Sequence, residues 1–84
     1  MAYAVFLKRT AEKELEPLPR RLHDKIVDHL LALRHTLRPD GAKKLHGREG
    51  YRIRVGDYWV LYVISDRERT VEVVSVAHRK EVYR

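Results

Sequence analysis

The segment Tyr51–Tyr62, with the sequence YRIRVGDYWVLY, predicts a two-stranded antiparallel hairpin and decides the fold. Its first half alternates between apolar and basic residues, which places Ile53 and Val55 on one face of a strand and Arg52 and Arg54 on the other. A two-residue turn that opens with glycine joins the strands, because glycine permits the type II′ geometry of a tight hairpin. Two arginines one pleat apart are suited to binding phosphate groups, although the residues alone are equally typical of a solvated strand face.

The turn length determines which residues of the hairpin face each other. A turn at residues 56–57 places Arg54 directly opposite Trp59 and Arg52 opposite Leu61. We therefore expect the guanidinium of Arg54 to stack on the indole of Trp59, on the face of the sheet that carries no helices. Such a contact is worth about 0.5–1 kcal/mol when exposed.

The N-terminal half predicts one strand followed by two helices. Residues Ala2–Leu7 form a short apolar run typical of a strand, and Thr10 is a suitable N-cap for a first helix. That helix should stop near Glu16, since Pro17 and Pro19 follow. Pro19 also suits the opening position of a second helix.

The second helix is the clearest predicted element, because apolar residues recur at spacings of three and four up to the turn at residues 38–41. A basic loop at residues 42–50 follows, and a valine-rich third strand runs from about Thr70 to Ala77. The predicted order is β-α-α-β-β-β: a small α+β domain over residues 1–84, with two N-terminal helices on one face of a mainly antiparallel twisted sheet. The apolar stripe of the second helix consists of Leu22, Ile26, Leu30, Leu33 and Leu37, widened by Val27 and Leu31.

Composition restricts the classes of function. The chain carries a formal net charge of +6, and residues 43–84 hold 10 Lys and Arg against 6 Asp and Glu. A basic half built on strands favours a polyanionic partner such as RNA or DNA, although solubility alone also explains many basic proteins. The chain has no cysteine, no apolar run near the roughly 18 residues of a membrane span, and no signal-peptide pattern. We expect a cytoplasmic protein with no membrane partner and, because its histidines lack neighbours at ligand spacing, no metal site.

Four features together resemble one protein family: the order of elements, the loop motif KLHG at residues 44–47, the hairpin YRIRVGDYWVLY, and the ending SVAHRKEVYR. The chain resembles the RelE branch of the RelE/ParE toxin superfamily over essentially its whole length. The resemblance implies the toxin of a type II toxin–antitoxin pair, a ribosome-dependent endoribonuclease that cuts mRNA in the A site without a metal or other cofactor. It also implies three partners: a cognate RelB-like antitoxin, usually small and acidic, the small ribosomal subunit, and mRNA.

The family's catalytic residues correspond to two stretches of this chain. Its basic second-strand residues match Arg52 and Arg54, and its C-terminal group matches His78, Arg79 and Tyr83, although the spacing before Tyr83 is shorter than in some members. Arginine does not lose its proton, so the arginines would stabilise charge rather than act as a base. We expect this C-terminal group to face Arg52 and Arg54. His78 is the natural candidate for proton transfer, and Tyr83 would orient the 2′-OH or stack on a base.

Contacts with RNA are expected from Lys43, Lys44, Trp59 and Lys80, with the two loop lysines steering the protein toward RNA rather than taking part in catalysis. Trp59 is a departure, because RelE relatives commonly carry arginine there, and loss of a comparable donor typically lowers a rate about 10²–10³-fold. Two alternatives therefore stay open: a ParE-like topoisomerase inhibitor, and a catalytically impaired toxin that acts mainly as the antitoxin's partner.

Overall fold

The computed structural model describes residues 2–82 and contains two helices packed on a five-stranded sheet, with a short third helix after the last strand. The elements are β1 (Ala4–Leu7), α1 (Arg9–Leu15), α2 (Arg20–Ala32), β2 (Lys43–Lys44), β3 (Tyr51–Val55), β4 (Tyr58–Ser65), β5 (Thr70–His78) and α3 (Arg79–Val82). The sheet order is β1-β5-β4-β3-β2, with β1 parallel to β5 and the other pairs antiparallel. The predicted α+β class is confirmed, and β2 and α3 are additional to the predicted elements. Within the described range no helix is long and apolar enough to cross a membrane.

The core lies between the two helices and one face of the sheet, which we call the helix-covered face. Apolar residues of α1 and α2 meet alternate residues of the central strands, as the period of two predicts. Burying a large aliphatic side chain contributes about 1.5–3 kcal/mol, so this layer holds the domain together. The opposite side is called the open face. The core consists of Ala11, Leu15, Ile26, Leu30, Leu33, Ile53, Val55, Val60, Tyr62, Val71, Val73 and Val76.

A bulge interrupts the pairing of β5 with β4 beside Leu61 and Tyr62. Glu14 of α1 reaches the strand there, and its carboxylate accepts hydrogen bonds from the Val76 backbone N–H at 3.0 Å and the Ser75 hydroxyl at 3.1 Å. A bulge leaves backbone groups without hydrogen-bond partners in the ladder, and the carboxylate of Glu14 serves as such a partner. The contact therefore attaches α1 to β5 at the point where the strand is irregular.

The starts of both long helices differ from the prediction by one or two residues. α1 begins at Arg9 after Lys8, without a side-chain cap, so the prediction that Thr10 caps this helix is wrong. The Lys8 N–H donates to the Val73 carbonyl of β5 at 2.9 Å, and this sheet contact fixes where the helix begins. Pro19 is the N-cap of α2 rather than its first residue.

α2 ends at Ala32, well before the turn at residues 38–41 where the sequence predicts its end. The Arg34 N–H donates to the Leu31 carbonyl three residues earlier at 3.2 Å, so the last turn tightens as the chain leaves the helix. Leu37 still packs against the core, from an irregular segment whose carbonyl accepts a hydrogen bond from the Tyr62 hydroxyl at 2.9 Å. The apolar stripe is thus longer than the helix that carries it.

Candidate functional site

The β3–β4 hairpin has the predicted turn length and register. Arg52 pairs with Leu61 and Arg54 pairs with Trp59 across the two strands. Gly56 has a φ of 61°, which suits the first central position of a type II′ turn and which other residues rarely adopt. Arg52 and Arg54 accordingly lie on the open face, opposite the buried residues of β3.

The short strand β2 adds a third cation to the open face. Lys43 pairs directly with Arg52, so their side chains extend from the same face, whereas Lys44 pairs with Tyr51 and belongs to the other face. An alternating pattern cannot be recognised over two residues, which is why the sequence predicts only a loop here. Like charges placed directly opposite each other destabilise a sheet, so the Lys43–Arg52 pair needs a reason other than stability.

α3 brings Arg79 to the hairpin turn. Its backbone N–H donates to the Asp57 carbonyl at 2.8 Å, and its Nε lies 3.7 Å from Oδ1 of the same residue. Arg54 approaches that same carboxylate oxygen with Nη2 at 3.7 Å, while its Nε donates to the Gly56 carbonyl at 2.8 Å. One carboxylate therefore joins two of the predicted catalytic arginines. We call the set Lys43, Arg52, Arg54 and Arg79 the basic patch.

Trp59 lies under Arg52 and not under Arg54. The guanidinium carbon of Arg52 is 4.7 Å from the centre of the Trp59 ring, so the predicted stacking of Arg54 on Trp59 is wrong even though the register is correct. Diagonal neighbours on a sheet lie within reach of long side chains, and Arg54 turns instead toward the acceptors of the turn. The indole is 5% exposed and its N–H has no hydrogen-bond partner among the described residues. Trp59 therefore does not present an open ring to a nucleobase in this conformation.

His78 lies on the helix-covered face, away from the strand arginines. It pairs with Tyr58, which pairs in turn with the buried Val55, and the His78 and Tyr58 rings meet edge to face with centroids 5.2 Å apart. The expectation that His78 faces Arg52 and Arg54 is therefore wrong. The bulge in β5 explains the difference, because one extra residue moves every later side chain to the opposite face.

The side chain of His78 caps α3. Its Nδ1 is 3.2 Å from the backbone N–H of Lys80, the second residue of that helix, which is the arrangement of an N-cap. Because a backbone N–H can only donate, Nδ1 must be unprotonated and act as the acceptor. His78 thus sets the start of the helix that carries Arg79.

The remaining predicted site residues are less informative. Lys80 is exposed on α3, and Tyr83 lies outside the described residues. Among the described side chains, no group of three His, Asp or Glu residues is close enough to hold a metal ion.

Groups with shifted pKa values lie at contacts that fasten edges and loops to the sheet. Burial raises the pKa of Tyr62 to about 12. The pKa of Arg38 is raised because its Nε donates to the Tyr51 hydroxyl at 2.9 Å. The pKa of Tyr3 is raised by the hydrogen bond that its hydroxyl donates to Asp66 at 2.7 Å. These contacts are structural.

Asp57 is the site residue that sequence reasoning misses. Taken alone, an aspartate after Gly56 is an ordinary turn residue. The available signal is its setting, since a carboxylate at the tip of a hairpin lies within reach of a basic residue on the adjoining strand, here Arg54. The contribution of Arg79 depends on where α3 begins, which the sequence pattern does not give.

Comparisons with known proteins agree with this fold. A family model described as the ParE toxin of type II toxin–antitoxin systems matches residues 5–83. The chain is 31% identical over 86 residues to Toxin RelG of Mycobacterium tuberculosis, covering 100% of this chain and 99% of that relative.

Solved structures give the same result. The fold matches a chain of the archaeal RelE–RelB complex from Pyrococcus horikoshii with a TM-score of 0.84 and 25% identity, over 94% of this chain and 97% of that chain. It matches a chain of the toxin–antitoxin complex RelBE2 from Mycobacterium tuberculosis with a TM-score of 0.82 and 29% identity, over 94% of this chain and 100% of that chain. The predicted resemblance is therefore confirmed: this chain belongs to the RelE/ParE superfamily, as a toxin of a type II toxin–antitoxin system.

Proposed function

We propose that this toxin cleaves mRNA on the ribosome and thereby stops translation. The observation that carries the proposal is the basic patch, to which two strands and the start of α3 contribute four cations. Lys43 and Arg52 face each other across two strands, and an RNA backbone would neutralise both charges. Guanidinium groups match the paired oxygens of a phosphate, which favours a phosphodiester as the ligand.

The proposed reaction needs cations that stabilise charge on the phosphate, a base and an acid. The 2′-oxygen of a ribose attacks the adjacent phosphorus, the bond from phosphorus to the 5′-oxygen breaks, and the products are a cyclic phosphate and a free 5′-OH. A base takes the 2′-OH proton, and an acid returns a proton to the leaving oxygen. Arg52, Arg54 and Arg79 would stabilise the additional negative charge on the phosphate oxygens, because each keeps its own proton throughout.

We assign His78 a positioning role rather than direct proton transfer. It lies on the face opposite Arg52 and Arg54, and its Nδ1 is engaged with the Lys80 N–H. Tyr83 stays the predicted partner of the 2′-OH. Asparagine is also a good N-cap, so His78→Asn should retain cleavage while His78→Ala loses it. An equal loss of cleavage in both variants would indicate that His78 itself transfers a proton.

Trp59 is proposed to hold Arg52 rather than to bind a base. The cation lies over the buried ring, which limits where the guanidinium can move. The substitution Trp59→Arg removes the ring beneath Arg52 and adds a second positive charge beside it. We therefore expect no gain in cleavage from Trp59→Arg, whereas a clear gain would support the alternative of an impaired toxin.

A small acidic antitoxin is the proposed protein partner. The structural relatives named above are complexes of RelE with RelB, and the net charge of +6 favours an acidic ligand. Association should weaken as salt rises, because exposed charges are screened. Titration of the toxin with its antitoxin at low and high salt measures this, and a salt-independent affinity would contradict the electrostatic part of the proposal.

A ParE-like inhibitor of topoisomerase is the second candidate, because the matching family model is described as a ParE toxin. Two assays run in parallel separate the candidates. Purified toxin is added to programmed ribosomes and the mRNA 5′ ends are mapped, and the same preparation is added to a gyrase supercoiling reaction. Cleavage within the A-site codon supports the proposal, whereas intact mRNA with inhibited supercoiling supports the alternative.

A further inference from the structure

Two arginines of the basic patch, Arg54 and Arg79, flank an acidic side chain for which the proposed reaction has no use. Oδ1 of Asp57 lies 3.7 Å from Nη2 of Arg54 and 3.7 Å from Nε of Arg79. Carboxylates and phosphates both present paired anionic oxygens to guanidinium N–H groups, so the two anions compete for the same donors. The Asp57 side chain is 62% exposed, and an incoming ligand can reach the pair.

We propose that Asp57 is an internal phosphate mimic: in the free toxin its carboxylate occupies the site between Arg54 and Arg79, and an RNA phosphate displaces it on binding. The inference rests on the proposed action on RNA and adds to it a group that sets how tightly the site takes a phosphate. Asp57 is then a positioning and competing residue, and not a catalytic one.

The interactions of Asp57 are weak enough to be displaced. Both ion pairs are long, and the arginine side chains are 44% and 48% exposed, so solvent screens the attraction. A phosphate has more hydrogen-bond-accepting oxygens than a carboxylate, and it forms bidentate hydrogen bonds with guanidinium groups that are shorter than these ion pairs. Because RNA must first displace the carboxylate, the toxin binds RNA slightly less tightly than it would without Asp57.

The side chain of Arg54 and the backbone of Arg79 have contacts that do not depend on the carboxylate. Arg54 is also held by the Gly56 carbonyl at 2.8 Å, and the Arg79 backbone is held by the Asp57 carbonyl at 2.8 Å, a bond that any residue at position 57 can accept. Replacing the carboxylate by a neutral group removes the competitor and leaves the donors in place. The expected result is a gain in affinity, which damage to the fold would not produce.

The test is the affinity of the full chain for a short labelled single-stranded DNA, which supplies phosphates but no 2′-OH to be cleaved. By fluorescence anisotropy at low salt, Asp57→Asn should bind about two- to fivefold more tightly than the parent. Asp28→Asn is the matched control, since it makes the same change in net charge on the exposed surface of α2. An affinity for Asp57→Asn equal to or weaker than that of the control would overturn the proposal.

Further variants test whether the gain in affinity arises from the removal of the carboxylate. Asp57→Ser also removes the charge at this turn position, and it should show the same gain if Asp57→Asn does not fold. In a background carrying Arg54→Gln and Arg79→Gln, Asp57→Asn should have no larger effect than Asp28→Asn, and a persistent gain there would contradict the mimic. DNA binding is independent of cleavage. Tighter DNA binding by Asp57→Asn, together with a parent protein that leaves mRNA intact on ribosomes, would refute the proposed function and still support the competition.

Discussion

Trp59 and Tyr62 lie three residues apart on β4, are both buried, and differ in what buries them. Tyr62 is 0% exposed in the core, and its hydroxyl donates to the Leu37 carbonyl at 2.9 Å. Trp59 is 5% exposed on the open face, beneath the charged side chain of Arg52, and its N–H has no partner in the described part of the chain. Buried polar groups normally find partners, and an exception calls for an explanation. The helix-covered face is arranged for stability, whereas burial on the open face serves to place a cation.

The largest effect should come from the helix-covered face. Ile26 is 0% exposed, and Ile26→Ala should lower the free energy of unfolding by about 2–5 kcal/mol, because it removes buried methyl groups and leaves a cavity. Leu31→Ala on the same helix is the control, since Leu31 is 52% exposed and should change stability far less. Urea denaturation measures the stability of both variants. Equal losses of stability would contradict the distinction between the buried and exposed sides of α2.

Tyr62→Phe should give a smaller loss that depends on pH. At neutral pH it removes the hydrogen bond to Leu37 and leaves a carbonyl unsatisfied, at about 1–3 kcal/mol. Burial raises the pKa of Tyr62 from 10.0 to about 12, so between these values the folded state keeps a proton that the unfolded state loses. The stability that this group confers is complete below pH 10 and is lost as pH rises through about 12.

The measurement compares the parent with Tyr62→Phe by urea denaturation on both sides of pH 10. The difference in stability between the two proteins should shrink as the pH rises, because phenylalanine has no proton to lose. A constant difference would show that the hydroxyl of Tyr62 does not titrate differently in the two states.

The smallest effect on stability should come from the open face. Arg52→Gln removes the cation over Trp59, and a contact of this kind is worth about 0.5–1 kcal/mol. Trp59 is the single tryptophan of the chain, so its fluorescence reports this contact directly. Emission should shift to longer wavelength as water reaches the indole, with Arg67→Gln as a control at an exposed turn. Unchanged emission would mean that Arg52 does not cover the ring.

The sequence predicts the hairpin well because its turn is chemically specific. Gly56 permits the required φ, and a two-residue turn then determines every pair of β3 and β4. The choice of Arg52 rather than Arg54 as the partner of Trp59 could not be predicted, because it depends on competing acceptors that the turn places near Arg54.

His78 shows why the rest of the site could not be predicted. Alternation from the buried Val71 and Val73 would place residue 78 on the open face with the arginines. The bulge moves it to the helix-covered face, and Glu14 of α1, far away in sequence, contacts the strand beside the bulge. Strand period is a local property, but the position of a bulge is decided by tertiary packing.

The most direct test of the central claim is the rate of mRNA cleavage by Arg54→Gln on programmed ribosomes, beside Arg67→Gln and the parent. Arg54 lies in the basic patch and outside the core, so the substitution should leave thermal stability nearly unchanged. Cleavage by Arg54→Gln should fall about 10²–10³-fold, as for loss of one donor to a transition-state oxyanion, while Arg67→Gln retains the parental rate. Equal rates for the two variants would contradict the claim that the basic patch of the open face performs the chemistry.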